Sequence, residues 1–314
     1  MLKKIAIIAS LFISCAGMLL GQSSRSLPVL ELNADTRTAG MGDANMGETK
    51  SMYLYTNPTA FFHNEGNLYT SYTFGMYPKH NDSYRMYHAV SAGYKLFDRH
   101  ALMVGFRYLD GLKSLRVGDD GIERKPIQPM DWSMDFAYAF QFTPNFSAYA
   151  GGNIIQSYNG KTGYTGSFSA GLYYRNNLSL SDKDGSYAVG VSLYDLGGKI
   201  KHGKKGTEND LPTSIGAGGS FSLPLNENHA INAALSTRYF LMPSEAKAFT
   251  GGIGLEYEMF KMAALRTGYH WGNDNGYFTL GLGYNVKFVR LDAAYLFAKE
   301  KDYNFFRLGM SVQF

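Results

Sequence analysis

Residues 303–314 read YNFFRLGMSVQF. In an extended chain Phe306, Leu308, Met310, Val312 and Phe314 fall on one face, and Phe305, Arg307, Gly309, Ser311 and Gln313 on the other. Side chains alternate across a strand with a period of two, so the stretch predicts a strand with one apolar face and one small, polar face. The pattern recurs upstream. Residues 132–142 set Trp132, Met134, Phe136, Tyr138, Phe140 and Phe142 against Ser133, Asp135, Ala137, Ala139 and Gln141. Residues 276–285 set Phe278, Leu280, Leu282 and Tyr284 against Thr279, Gly281, Gly283 and Asn285. A soluble sandwich gives the same period, with the apolar face as its core. A second face this small and polar fits a wall around a lumen or a plug.

From Asn67 onward the alternation predicts strands at 67–77, 85–96, 99–109, 132–142, 145–156, 163–175, 186–195, 211–222, 229–240, 247–258, 260–270, 276–285, 287–298 and 303–314. That is about fourteen, an even number, as single-chain bacterial barrels have, with lengths that suit tilted crossings of a bilayer. The fold class is all-β: a transmembrane antiparallel β-barrel. Tyrosines near the predicted strand ends (Tyr69, Tyr77, Tyr94, Tyr108, Tyr158, Tyr174, Tyr239, Tyr257, Tyr269 and Tyr284) read as two aromatic girdles at headgroup level. The longer connections, 110–131 and 196–210 among them, alternate with tight ones, which places the long ones outside the cell. The connection at 176–185, NNLSLSDKDG, is too long for its side, and a misplaced strand would account for it. Lys199, Lys201, Lys204 and Lys205 form a basic patch on an outer loop, suited to lipid phosphates or to plain solvation.

The first 21 residues carry Lys3 and Lys4, an apolar run from Ile5 to Ile13 and a small residue at Gly21, the layout of a cleaved secretory signal. The domain reading is 1–21 signal peptide, 22–66 plug or hatch segment, 67–314 barrel. The formal charge of +4 falls to +2 without Lys3 and Lys4, too little to argue for nucleic acid. Cys15 is the single cysteine, so a chain cut after Gly21 has neither disulfides nor thiolate metal sites. A mean hydropathy of −0.22 does not argue against a membrane, because barrels average polar and apolar faces.

The one long part of the mature chain that does not alternate runs from Leu27 to Asn64. Gly40, Gly42 and Gly47 break it and Asn57-Pro58 punctuates its end, so it reads as a plug inside or under the barrel. Parity places Asp135, Arg238, Glu256, Arg266, Arg290, Asp292 and Arg307 on the inner wall, where charges grip a plug or line a conduction path. Arg290, Asp292 and Arg307 stand on the last two strands and are expected to be neighbours. Neither a nucleophile elbow nor a zinc motif, phosphate loop or calcium loop is present, and the seven histidines are scattered singly. No enzyme activity, cofactor or metal is expected. A barrel hydrolase acting on envelope lipids stays open, because strands can assemble Ser and His from a distance.

Asp35, Arg37, Gly40, Met41 and Gly42, within ADTRTAGMGDA at 34–44, and Asn57-Pro58 within NPTAF at 57–61 resemble the plug of PorV/PorQ-like proteins. These belong to the wider FadL-like group of fourteen-stranded outer-membrane barrels. Thr36, Asn45 and Thr59 depart from the pattern. The terminal Phe314 resembles the assembly signal of outer-membrane barrels. The resemblance implies the cell outer membrane of Bacteroidota and work with the type IX secretion system. Its partners would be the lipid bilayer, secretion-system subunits and secreted cargo with C-terminal signal domains. The FadL side of the group implies the alternative, a channel for long-chain fatty acids or other hydrophobic small molecules, with a bound lipid.

Overall fold

The computed structural model describes residues 26–79, 83–117, 123–180, 183–204, 206–272, 276–299 and 301–314. The signal reading at 1–21 and Lys205 lie outside the described residues. In chain order the strands are β1 (Leu68–Met76), β2 (Met86–Leu96), β3 (His100–Asp110), β4 (Ser114–Val117), β5 (Glu123–Ile127), β6 (Met130–Gln141), β7 (Phe146–Tyr158), β8 (Thr162–Leu180) and β9 (Lys183–Gly197). They continue with β10 (Ile200–Lys201), β11 (Glu208–Asn209), β12 (Ser214–Asn226), β13 (His229–Phe240), β14 (Ala248–Met259), β15 (Ala263–Trp271), β16 (Tyr277–Val286), β17 (Val289–Ala298) and β18 (Phe305–Gln313). Fourteen of them close one barrel in the order β1-β18-β17-β16-β15-β14-β13-β12-β9-β8-β7-β6-β3-β2, every pair antiparallel.

The faces are inverted relative to a soluble protein. Along β16, Leu280 and Leu282 are more than half exposed while Thr279 is fully buried. Met134 and Phe136 on β6 point outward, with Ser133 and Asp135 buried between them. Apolar side chains on the outside and polar ones within make a wall that faces lipid, which excludes the sandwich. Two girdle residues are corrected: Tyr69 is buried in an edge-to-face cluster with Tyr53 and Phe61, and Tyr77 stacks on the buried Phe305. Tyr69 sits on the inward parity of β1, and Tyr77, one residue past its end, continues that parity, so each packs against the lumen contents.

Closure runs through β1 and β18, with Tyr69 opposite Gln313 and Met76 opposite Phe306. The carbonyl of Phe314 accepts from Asn67 N at 2.5 Å and Leu68 N at 3.0 Å, so the last residue fastens the seam. Pairing the first and last strands leaves no edge.

The long connection at 176–185 needs no misplaced strand. β8 and β9 continue through it, pairing Asn177 with Ser186 and Leu180 with Lys183. Its Asn, Ser, Asp and Gly residues look like turn residues, but a two-strand ladder overrides that local preference. The connection at 110–131 contains the β4–β5 hairpin, and 196–210 contains the β10–β11 ribbon.

Residues 27–64 run through the lumen. Short helices α1 (Pro28–Glu31) and α2 (Thr36–Ala39) and two 3-10 turns (Tyr53–Tyr55 and Pro58–His63) make up their regular structure. The Asp35 carboxylate caps α2 by accepting from Arg37 N and Thr38 N, and Asn57 Oδ1 caps the second 3-10 turn by accepting from Thr59 N. At the pole with the long connections, Ser26 Oγ donates to Asp210 O at 2.8 Å. At the pole with the short turns, Lys95 Nζ donates to Asn64 O at 2.6 Å. The segment is therefore threaded from one mouth of the barrel to the other.

Candidate functional site

The luminal segment meets the wall at a glycine seat. Gly40 abuts Gly281, where an added Cβ would come within 3.0 Å of the Gly281 Cα. Gly42 has a φ of +69°, and a Cβ there would stand 2.6 Å from the carbonyl oxygens of Ile253 and Tyr269. Both a left-handed backbone and close approach to the wall demand glycine at 42. The wall answers with Gly252, Gly254 and Gly268, each packed against backbone of residues 41–44. Met41 is buried between them. Wall hydroxyls satisfy the backbone that the seat exposes: Thr279 Oγ1 accepts from Gly42 N at 2.9 Å, Ser236 Oγ from Met46 N at 2.9 Å, and Ser220 Oγ from Glu48 N at 2.8 Å.

Beside the seat stands a buried ionic network centred on Glu256. Its carboxylate accepts from Arg37 Nε at 3.0 Å and Nη2 at 2.5 Å, from Asn232 Nδ2 at 2.9 Å and from Arg266 Nε. Arg266 Nη1 continues to Asp292 at 2.8 Å, and Arg290 Nε pairs with Asp292 at 3.0 Å. Asp35, two residues before Arg37, accepts from the hydroxyls of Thr49 at 3.0 Å and Ser51 at 2.5 Å. Asn57 Nδ2 donates to Gly47 O at 3.1 Å, and Pro58 is buried beside it. Lys50 pairs with Glu258, and Glu48 with Arg175. A two-point guanidinium–carboxylate contact fixes orientation as well as charge, which suits a fastening between segment and wall.

The other inward charges lie nearer the long-connection pole. Asp135 pairs with Arg107 at 2.5 Å and accepts from Tyr55 Oη at 3.0 Å, while Arg107 Nη1 donates to Val29 O at 3.3 Å. Arg238 pairs with Asp195 at 3.2 Å and lies against Tyr194 and Phe240. Arg307 donates to Asn33 O, which turns it toward the luminal segment and away from Arg290 and Asp292. Of the expected neighbours on the last two strands, then, only Arg290 and Asp292 meet. A cavity of about 430 Å³ remains in this half, lined by Tyr55, Arg107, Tyr149, Tyr194, Arg238 and Arg307 among others.

Two members of these pairs lie outside the sequence reading. Arg107 shares its parity with Ala101, Met103, Gly105 and Leu109, so extending the inward face of β3 would have found it. Asp195 follows no parity: its φ of +53° sits beside a register shift between Phe168 and Ala170, which turns it into the lumen. The basic patch lies apart from this site. Lys199 reaches Asp210 at 3.8 Å and Lys201 reaches Glu208 at 3.9 Å, both within or beside the β10–β11 ribbon, and Lys204 is exposed. Among the described residues no group of three or more His, Cys, Asp or Glu is placed to hold a metal ion.

The Ralstonia pickettii toluene transporter TbuX superposes with a TM-score of 0.61 at 13% identity, over 91% of this chain and 100% of that one. The Pseudomonas putida toluene transporter TodX superposes with a TM-score of 0.60 at 11% identity, over 88% and 97%. At such identities the likeness is one of fold. The search of curated proteins returns no match. The family model for type IX secretion system protein PorV matches residues 22–247, well over half of the chain. This outer-membrane β-barrel therefore belongs to the PorV family.

Proposed function

We propose that the protein is a binding and shuttle component of type IX secretion, receiving exported proteins with C-terminal signal domains at the outer membrane and passing them toward surface attachment. The observation that carries the reading is the family match over residues 22–247. The lumen agrees with it. Residues 27–64 occupy it from mouth to mouth, fastened by the glycine seat and by Glu256, so cargo would be held by outer surfaces and not drawn through the pore. In this reading residues 1–21 are removed on export, residues 22–66 act as a fixed plug and residues 67–314 form the wall.

The alternative, a channel for fatty acids or other hydrophobic molecules, calls for an apolar route between plug and wall. The cavity has Leu30, Tyr149, Phe240, Leu296 and Phe305 in its lining, but the Arg107–Asp135 and Arg238–Asp195 pairs share it, and burying apolar matter against charged groups forfeits their solvation. Purification in mild detergent with mass spectrometry of proteins and lipids tests the choice. Co-purified secretion subunits or cargo, with surface proteins lost on deletion, are expected; lipid without any protein partner would overturn the shuttle reading. A lock sharpens it. The Thr36 and Thr73 hydroxyls are 3.3 Å apart, so a T36C/T73C disulfide would tie segment to wall. A shuttle keeps its activity when locked, whereas a channel gated by the segment loses it.

A further inference from the structure

Among the described residues, three histidines of the wall point outward, and each ring is tied to a tyrosine on the neighbouring strand. His88 Nδ1 is 2.8 Å from Tyr72 Oη, His100 Nδ1 is 2.6 Å from Tyr138 Oη, and His229 Nδ1 is 2.9 Å from Tyr257 Oη. A phenol is the better donor of the two, so each tyrosine hydroxyl donates to Nδ1 and the imidazole proton rests on Nε2. In His100 and His229 that Nε2 has no partner among the described residues, and it is not buried. Each pair therefore holds an N–H donor open on the outer face of the wall.

These two pairs stand at one level and share one geometry. His100 opens β3 and His229 opens β13, both at the short-turn pole. Their register partners are Phe140 and Met259, and in each case the tyrosine lies two residues deeper on that partner strand. His88 lies toward the opposite end of the wall. A three-residue turn adjoins each of the two pairs: Phe97-Asp98-Arg99 between β2 and β3, and Phe260-Lys261-Met262 between β14 and β15. In both turns the first two residues are left-handed, with φ of 52° and 59° in one and 54° and 55° in the other. A phenylalanine at positive φ is an outlier that asparagine or glycine would relieve. What the strained turn presents is an exposed ring and a free cation. Phe97 is 88% exposed and Phe260 63%. Arg99 and Lys261 are exposed, and neither side chain makes an ion pair among the described residues. Arg99 is the residue next to His100, and Lys261 follows Phe260, whose ring centre is 5.0 Å from that of His229.

We propose that His100 with Arg99, and His229 with Lys261, are two binding sites for phospholipid phosphate in the periplasmic leaflet. The Nε2–H donates to a phosphate oxygen, and the turn cation supplies the opposite charge; hydrogen bonds to an anionic oxygen are the strong ones. The tyrosine fixes the tautomer and aims the ring. No wall encloses either site, so a free ion has nothing to hold it there. A lipid does: its acyl chains lie along the outward Leu102 on β3 and Ile231 on β13, two residues deeper than each histidine. Polar donors on the outer face are expensive at the bilayer midplane and tolerated at the interface, which fits histidine at the first position of a strand.

The test is native mass spectrometry of the folded chain released from micelles doped with phosphatidylglycerol, whose phosphate is its one charge. A diacylglycerol with the same acyl chains serves as the phosphate-free probe. Wild type should retain phosphatidylglycerol and not diacylglycerol. His100→Phe and His229→Phe keep a ring and delete the donor; each should lose one tightly held lipid, and the double variant should lose two. Arg99→Gln and Lys261→Gln change exposed turn residues and leave the wall intact, so they test the sites without risk to folding; each should weaken retention at its own site about tenfold. Equal retention of the two probes by wild type overturns the proposal. So does retention of phosphatidylglycerol that is unchanged in the double histidine variant or in Arg99→Gln/Lys261→Gln.

Discussion

Removing the Glu256 side chain should damage the protein more than removing Arg37, although the two form one ion pair. Glu256 is fully buried and serves Arg37, Arg266 and Asn232 directly, with Arg290 at 3.6 Å. Glu256→Ala therefore strands several buried guanidinium groups at once. Breaking a buried pair by removing one partner costs roughly 3–5 kcal/mol, and this carboxylate is shared, so the upper end applies. Arg37→Ala removes two hydrogen bonds to the carboxylate and one to Glu48 O at 3.1 Å, but Glu256 keeps Arg266 and Asn232. That loss should be about 2–3 kcal/mol, the scale of hydrogen bonds to charged groups less what the remaining partners retain. The gap of about 2–3 kcal/mol corresponds to roughly a thirty- to hundredfold difference in the unfolded fraction. Equilibrium unfolding in detergent, followed by the fluorescence of the chain's two tryptophans, Trp132 and Trp271, reads it directly. The double variant should fall short of the sum by about 0.5–3 kcal/mol, the range for groups sharing one network. Equal losses for the two single variants, or a strictly additive double variant, would refute the view that Glu256 organises the fastening.

Gly42→Ala should reduce the folded, heat-modifiable fraction on gels far more than Gly40→Ala, because it meets two wall carbonyls at 2.6 Å and a φ of +69°, the latter alone worth about 1–2 kcal/mol. Deleting Phe314 should slow assembly and loosen the seam, while Phe314→Ala keeps the carbonyl that accepts from Asn67 and Leu68 and should retain most of the folded stability; pulse-chase gels measure both. His63, in the 3-10 turn at the short-turn pole, is held down to about 4 by burial and by the nearby cation of Arg175, against an ordinary value of 6.5. The unfolded chain then takes up a proton that the folded chain refuses, so stability falls as the pH drops from about 6.5 toward 4. His63→Gln should flatten that part of an unfolding-midpoint-against-pH curve.

The wall was legible because its physics is local. Phe306, Leu308, Met310 and Val312 alternate with Arg307, Gly309 and Ser311 within one strand, and inversion of the faces needs no partner to be seen. The same parity put Glu256 and Arg266 inside, where both are buried. What it could not express is which inward residue meets which. The seat joins Gly42 to Gly252 and Gly268, more than 200 positions away, and no period encodes that contact. Bulges also defeat parity: Asp195 faces the lumen only because the ladder slips between Phe168 and Ala170. At 177–186 local composition misled, because residues that favour turns were enlisted by a ladder already running on either side.

The threading of residues 27–64 bears on what a protein of this design can do. A segment that opens to let a solute pass must leave its seat, which exposes wall glycines to the lumen and leaves Glu256 facing Arg266 and Arg290 without Arg37. Each broken fastening adds to the cost, and several must break together because the seat and the ionic network share residues 37–42. A coupled set of contacts releases in an all-or-none manner, so partial opening gains little. A barrel built to bind at its rim has no such difficulty: the same fastenings stiffen the wall that holds its loops in place, and a rigid scaffold lowers the ordering cost when a partner docks. The lacing of the lumen and the membership of a secretion family thus favour the same use of the fold, in which the pore is filled so that the surface can work.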